Sequence, residues 1–211
     1  MNTSRMLKVL AQVTVWCLTG AAVLAPAMAG TAVPSTLANL QTAFNGESNA
    51  KARYEAFAVK ADAEGYKSVA ALFRATAYSE GIHAVKHAAA IKKLGAVPKA
   101  GVAVPEVKST KENLEVALKG ETAERTAMYP EFIKQAELDK NGKAKMSFMG
   151  ALAAETEHAK LYQQALDDLD GWKAAGKSFL VCEVCGYTAL DTGLKKCPVC
   201  AAPREKFEFF K

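Results

Sequence analysis

The chain has 211 residues, half of them hydrophobic, with 27 basic and 22 acidic side chains and a formal net charge of +5. That is enough apolar surface to bury a real core, and it excludes a disordered chain. The charge is too small, and its lysines too interspersed with glutamates, to mark a binding stripe, so no nucleic acid is expected as a partner.

Residues 1–29 carry Arg5 and Lys8, an uncharged apolar stretch from Val9 to Leu24, then Pro26 and Ala27-Met28-Ala29 before Gly30. This layout predicts a cleaved signal peptide over 1–29 and a periplasmic protein with no stable membrane insertion. The alternative is an uncleaved membrane anchor, because Val9 to Ala29 has no charge and is just long enough to span a bilayer. Cys17 has no lipobox-like Leu-x-Gly/Ala before it, which argues against lipidation. Cleavage removes Arg5 and Lys8 but no acid, which lowers the net charge from +5 to +3. It also removes Cys17 and leaves four cysteines near the C-terminus.

From Leu37, the positions Leu40, Phe44, Tyr54, Ala58 and Ala61 recur at three- and four-residue spacing with Glu47 inside the series, predicting a helix that ends near Gly65. A second helix carries Val69, Leu72, Phe73, Thr76, Glu80, His83, His87, Ile91 and Leu94, and is stopped by Gly95 and Pro98. Gly95 to Val107 has no period and is expected to be a long connection. Ser109-x-x-Glu112 then opens a third helix as a capping box. That helix carries Leu114, Ala117, Leu118, Glu121, Glu124 and Met128, and Pro130 is expected to kink or locally unwind it before Phe132 and Ile133 resume the pattern. Asn141-Gly142 marks a turn, and a fourth helix follows through Phe148, Leu152, Glu155, His158, Tyr162, Ala165 and Leu169, fading through Trp172 to Gly176. Short turns join the first and last pairs while the middle link is long. This predicts an all-α, ferritin-like four-helix bundle over 30–176 with one long crossover. Residues 177–211 are too few to fold without a staple, which their cysteines supply.

Four acidic motifs fall on the apolar stripes of separate helices: Glu47, Glu80-x-x-His83, Glu121-x-x-Glu124 and Glu155-x-x-His158. Residues three apart share one helix face, so each pair can present two ligands inward. Any one such motif is more often a solvated surface. Four in phase with the apolar stripe, using two of only three histidines, point to a dinuclear metal site, because isolated buried carboxylates are too costly to leave unpaired. Bundle proteins of this type take one Glu from each of two helices and Glu-x-x-His from each of the other two. Mixed carboxylate and imidazole donors suit iron or manganese, with iron favoured. His87, Tyr54 and Tyr129 are read as ordinary core groups, and Glu157 as a solvent-facing one.

Cys182-x-x-Cys185-Gly186-Tyr187 and Cys197-Pro198-x-Cys200 form two knuckles that make a tetrahedral sulfur cage, suited to iron or zinc on spacing alone. A one-electron iron centre beside a redox metal pair makes chemical sense; zinc could not carry electrons.

The motifs Phe44-x-Gly46-Glu47-Ser48-x-Ala50, Glu80-x-x-His83-Ala84, Gly120-Glu121-x-x-Glu124-x-Thr126-x-Met128-Tyr129-Pro130 and Glu155-x-x-His158-Ala159 resemble the rubrerythrin family, and the tail resembles its rubredoxin-like domain. The resemblance implies Glu47, Glu80, His83, Glu121, Glu124, Glu155 and His158 as catalytic di-iron ligands. It implies a single iron on Cys182, Cys185, Cys197 and Cys200 in 177–211. It further implies reduction of hydrogen peroxide to water with re-reduction through the rubredoxin-like iron, protection against oxidative stress, an exchange of Glu124 for His83 on reduction, and a head-to-tail homodimer in which one subunit's four-cysteine iron serves the other's di-iron site. The signal peptide departs from the family's usual cytoplasmic setting and makes a periplasmic c-type cytochrome or other small redox protein the expected electron donor. The alternatives are a ferritin-like iron-binding ferroxidase and a structural protein with a zinc-ribbon tail.

Overall fold

The computed structural model describes residues 35–174 and 176–211. The expected signal peptide over 1–29 lies outside them. Among the described residues no helix is long and apolar enough to cross a membrane.

Helix α1 (Thr36–Ala63) starts where the Ser35 hydroxyl accepts from the Ala38 amide at 3.2 Å. It turns at Gly65, whose φ of +83° lets the chain reverse into α2 (Lys67–Lys93). The crossover then runs beside α1. Gln41, Asn45 and Asn49, one helical turn apart, bond to its backbone in sequence: Gln41 to Val97 and Lys99, Asn45 to Gly101, and Asn49 to Gly101 and Ala103. This amide ladder satisfies a segment that has no secondary structure of its own. The far end is caught by Glu64, whose Oε2 accepts from the Thr110 amide and hydroxyl at 2.8 and 2.6 Å. The Ser109–Glu112 capping box starts α3 (Thr110–Ala123) as expected.

Pro130 does not break the third helix. The turn before it widens to a π-helix over Glu124–Met128, where the Tyr129 amide bonds to the Glu124 carbonyl, and the chain continues as α4 (Tyr129–Leu138). A π turn absorbs the donor missing at proline without ending the rod, and such turns gather at functional sites. Asn141 caps α5 (Gly142–Asp167) through Oδ1 to the Ala144 amide at 3.0 Å.

Helix α1 packs chiefly on α2, while α3 and α4 pack on α5. The bundle has two apolar cores. One gathers Tyr54, Phe57, Phe73, Leu114 and Tyr162; the other gathers Leu40, Ile91, Tyr129, Phe148 and Ala151. On every helix the acidic motif falls between the two, so the polar site occupies a slab between hydrophobic caps.

The tail forms a three-stranded antiparallel sheet of β1 (Phe179–Cys182), β2 (Thr188–Leu190) and β3 (Phe207–Phe210), in the order β2-β1-β3. Strand alternation divides β1 between two cores: Phe179 and Val181 join the bundle, while Leu180 and Cys182 pack with Phe207 inside the tail. The sheet is thereby fastened against α2.

Candidate metal centre

Six of the seven expected carboxylate and histidine ligands converge. Ligand atoms of Glu47, Glu80, His83 and Glu155 lie within 4.8 Å of one another, as do those of Glu80, Glu121, Glu155 and His158. Glu80 and Glu155 belong to both groups, and their oxygens divide accordingly. Glu80 Oε2 is 2.9 Å from His83 Nδ1 and Glu80 Oε1 is 3.2 Å from His158 Nδ1. Glu155 Oε1 is 3.1 Å from His83 Nδ1 and Glu155 Oε2 is 2.8 Å from His158 Nδ1. Each shared carboxylate thus aims one oxygen at each half, the arrangement two bridged cations require. Glu47 with His83 completes one half and Glu121 with His158 the other.

Glu124 is the exception. It begins the π turn, is half-buried, and belongs to neither tight group, yet it faces the site: burial, then Glu121, Glu155 and Glu80, hold its carboxyl well above the usual range. Glu157 is partly exposed beside Lys160 at 3.3 Å, away from the site as its helical phase predicts.

The donor set fits metal. All six converging residues are at most 1% exposed, yet Glu47 Oε2, Glu80 Oε1, Glu121 Oε2, both Glu155 oxygens and His158 Nδ1 have no hydrogen-bond partner. Each such orphan costs about 1–3 kcal/mol or more, so this many in one place imply a cation. Four carboxylates balance two divalent ions. Without cations only protons relieve the strain: burial, then repulsion from Glu155 and Glu80, pushes Glu47 far up and Glu121 up to about 8. Burial raises Glu155 too, but His83 and His158 outweigh it and hold it at about 2. Both histidines are raised despite burial, by Glu155 and Glu80 around His83 and by Glu80, Glu121 and Glu155 around His158.

The residues set aside as ordinary core turn out to support the ligands. The Tyr54 hydroxyl donates to Glu121 Oε1 at 2.5 Å, and the Tyr129 hydroxyl donates to Glu47 Oε1. Burial first, then the adjacent carboxylate, keeps both phenols protonated. His87 Nε2 is 3.2 Å from Tyr129 Oη and its Nδ1 is 2.8 Å from Ser147 Oγ, and burial drives its basicity down to about 3. The helical phase of Tyr54, Tyr129 and His87 already placed them inward. What sequence could not show was that both tyrosine hydroxyls meet ligands and that His87 stands behind one of them. Ser147 carried no signal at all.

The four cysteines are free thiols, with Sγ of Cys182 and Cys200 3.6 Å apart and Sγ of Cys185 and Cys197 3.5 Å apart. These are too long for disulfides at about 2.05 Å and close to the roughly 3.8 Å edge of a tetrahedron with 2.3 Å metal–sulfur bonds. A hydrogen bond from Cys185, then the Cys185 and Val184 amides, lowers Cys182 to about 5. Burial raises Cys197 instead, only partly offset by the Cys200 and Val199 amides. Cys200 is exposed; the other three are buried.

The two centres meet within one chain. Gly186, next to Cys185, packs on His83 Nε2, and its carbonyl accepts from Ser79 Oγ at 2.6 Å. Thr188 Oγ1 lies 2.9 Å from His158 Nε2 and donates to the Gly186 carbonyl at 3.1 Å. The outer nitrogens of both site histidines therefore face the loop that follows Cys185. The loop confines both rings, and because the Thr188 hydroxyl donates to Gly186 it accepts from His158 Nε2, which fixes the His158 tautomer.

Comparison with known proteins agrees with this geometry. The family model described as rubrerythrin matches residues 38–166, more than half of the chain, and that described as the rubrerythrin rubredoxin-like domain matches 181–208. Nigerythrin of Nitratidesulfovibrio vulgaris (strain Hildenborough) is 39% identical over 178 residues, covering 84% of this chain and 87% of that protein. Rubrerythrin-2 of Clostridium acetobutylicum is 37% identical over 175 residues, covering 81% and 94%. The fully reduced, all-ferrous structure of nigerythrin superposes with a TM-score of 0.78 at 35% identity, covering 96% of this chain and all of that one. A bacterioferritin of Mycobacterium tuberculosis, at 20% identity and a TM-score of 0.59, shares the bundle fold alone. The chain belongs to the rubrerythrin family, with its di-iron site in the helical bundle and its rubredoxin-like four-cysteine iron site in the tail.

Proposed function

We propose that the protein is an exported non-haem di-iron peroxidase that reduces hydrogen peroxide to water, with electrons entering through the four-cysteine iron. The observation that carries this reading is the contact of the Cys185–Gly186 knuckle with His83, reinforced by the Thr188–His158 bond. A one-electron centre is held directly against the ligands of a two-electron site. A storage bundle has no use for such a contact.

When bound, the iron pair supplies the two electrons that break the peroxide O–O bond. The chain's own residues do the rest. Glu80 and Glu155 hold the two halves together, and Glu47 and Glu121 are steadied by the Tyr129 and Tyr54 hydroxyls. The apolar cores above and below exclude water from the slab. Glu124, at the edge on the π turn, is proposed to join the ligand shell in exchange for His83 as the oxidation state changes. A homodimer and a one-electron redox protein as donor complete the reading, with the periplasm as the compartment if residues 1–29 are cleaved.

Iron-loaded, chemically reduced protein should consume stoichiometric peroxide and recover its oxidised visible spectrum as it does so. Reduced protein that leaves peroxide untouched would refute the reading. Retention of many irons per chain, rather than about three, would favour storage, and a colourless protein with zinc at the cysteines would favour a structural tail.

A further inference from the structure

The hydrogen bonds behind Glu47 have a direction. With cations in the site Glu47 is ionised and can only accept, so the one hydroxyl hydrogen of Tyr129 goes to Glu47 Oε1. Tyr129 Oη must then accept from His87 Nε2, 3.2 Å away, which places the ring hydrogen on that nitrogen. His87 Nδ1 is left as an acceptor, and its partner is the Ser147 hydroxyl at 2.8 Å. Every donor in the row points inward, from Ser147 to Glu47. Its outer end reaches the surface: Ser147, 6% exposed, lines a surface cavity of about 540 Å³ together with Lys86, Lys143, Met146 and Cys200.

The other half of the site has no such row. Tyr54 donates to Glu121, but the neighbouring polar pair, Tyr162 and Thr76, with hydroxyls 2.6 Å apart, ends on the Leu72 and Phe73 carbonyls at 3.2 Å. All of these residues are at most 2% exposed. Two halves that match in their ligands differ behind them: one tyrosine leads to solvent and the other into the core.

We propose that Ser147, His87 and Tyr129 form a proton conduit from the cavity to the Glu47 side of the metal site. The proposal rests on the peroxidase reading and deepens it. Reducing one hydrogen peroxide to two waters breaks one O–O bond and consumes two electrons and two protons. The electrons come from the reduced iron centres and their donor. The protons come from water in the cavity. As water gives a proton to Ser147 Oγ, the Ser147 hydrogen passes to His87 Nδ1, the Nε2 hydrogen passes to Tyr129, the Tyr129 hydrogen passes to Glu47, and Glu47 releases it to a peroxide oxygen; two such passes supply the two protons. Rotation of the two hydroxyls and return of His87 to the Nε2–H form reset the row. The imidazole relays without holding a net charge at rest. Lys86 and Lys143 in the cavity lining offset the hydroxide left behind after each proton enters.

The test begins on the full chain loaded with zinc, which is diamagnetic and performs no peroxide chemistry. Nitrogen-15 spectra should show His87 as the Nε2–H tautomer, with that hydrogen exchanging with solvent. Ser147→Ala should slow the exchange about 100-fold or more, the scale on which a positioned proton-transfer group acts, and Ser147→Thr should restore it. An Nδ1–H tautomer, or exchange in Ser147→Ala as fast as in the parent, overturns the conduit. On the iron-loaded protein, Ser147→Ala should slow peroxide-driven reoxidation with an enlarged solvent isotope effect, at unchanged iron content and visible spectrum. An unchanged rate and isotope effect would also overturn it. Should the parent protein itself fail to consume peroxide, the peroxidase reading falls, while the zinc experiment still decides whether the conduit exists.

Discussion

Gly186 and His83 touch so closely that a single methyl group at position 186 would overlap the imidazole at Nε2 and crowd Ser79 Oγ at 3.0 Å. The same glycine has a φ of +86°, a region that costs other residues about 1–2 kcal/mol. Conformation and contact therefore both require glycine here. Gly186→Ala should push the knuckle off His83 while leaving the sulfur cage intact. Its four-thiolate visible bands should persist, and electron transfer from that iron to the bundle, followed by stopped flow, should slow at least about tenfold, as expected when supporting contacts around a metal ligand are lost. Transfer at the parental rate would show that this contact is not the route.

Tyr129→Phe keeps the ring that packs on Phe132 and Phe148 and removes only the hydroxyl held by Glu47. A hydrogen bond to a charged group contributes about 1.5–3 kcal/mol, and the loss falls on a ligand. Iron affinity, read by competition with a chelator, should drop about 10- to 100-fold with the helical signal unchanged. Tyr54→Phe should do the same through Glu121, but without disturbing proton delivery, since no path to solvent lies behind it.

Much of this site was legible in the residues. Period fixed the four helices, and the acidic motifs fall on the stripe that turns inward, so Glu47, Glu80, His83, Glu121, Glu155 and His158 can be placed together from the sequence alone. Glu124 shows how far spacing reaches: its interval from Glu121 puts it on the same face, where Glu121, Glu155 and Glu80 act on its carboxyl, while the π turn that begins there leaves it outside the two tight ligand groups. Pro130 signalled a disturbance but not its kind, because the neighbouring helix α5 holds the rod together through the irregularity. The Gln41–Asn45–Asn49 ladder was invisible for a different reason. Those amides looked like a solvated helix face, and only the tertiary path of the crossover gives them a task.

Glu64 fastens the end of that crossover from an exposed position, and a pH test isolates it. Hydrogen bonds from the Thr110 hydroxyl, Lys60 and the Thr110 amide lower its carboxyl from 4.5 to about 2. A depressed folded-state value means stabilisation that is complete above about 4.5 and is lost as pH falls toward 2. Because the group is largely exposed, solvent screening limits the contribution to about 0.5–1 kcal/mol. Glu64→Gln should cost that amount in urea melts at pH 7 and nothing at pH 2. An equal cost at both would mean that the hydrogen bond, not the charge, holds α3 in place.

Stripping the metal should invert the usual pH response of the fold. In the metal-free bundle Glu121 is raised from 4.5 to about 8 and Glu47 well above its ordinary range, chiefly by burial. A carboxyl whose folded value is raised favours the native state below its unfolded value of 4.5, and that advantage disappears as pH climbs through about 8. His83 and His158, also raised, act in the same direction above their ordinary 6.5. Glu155, lowered to about 2, opposes them only in acid below 4.5. The chelated protein should therefore be most stable near pH 5 and lose thermal stability steadily toward pH 9. The iron-loaded protein, whose cations replace those protons, should show no such decline and should release protons on reloading, measurable with an indicator dye. Parallel melting curves for the two forms between pH 5 and 9 would mean that the buried acids are not relieved by protons when the metal leaves.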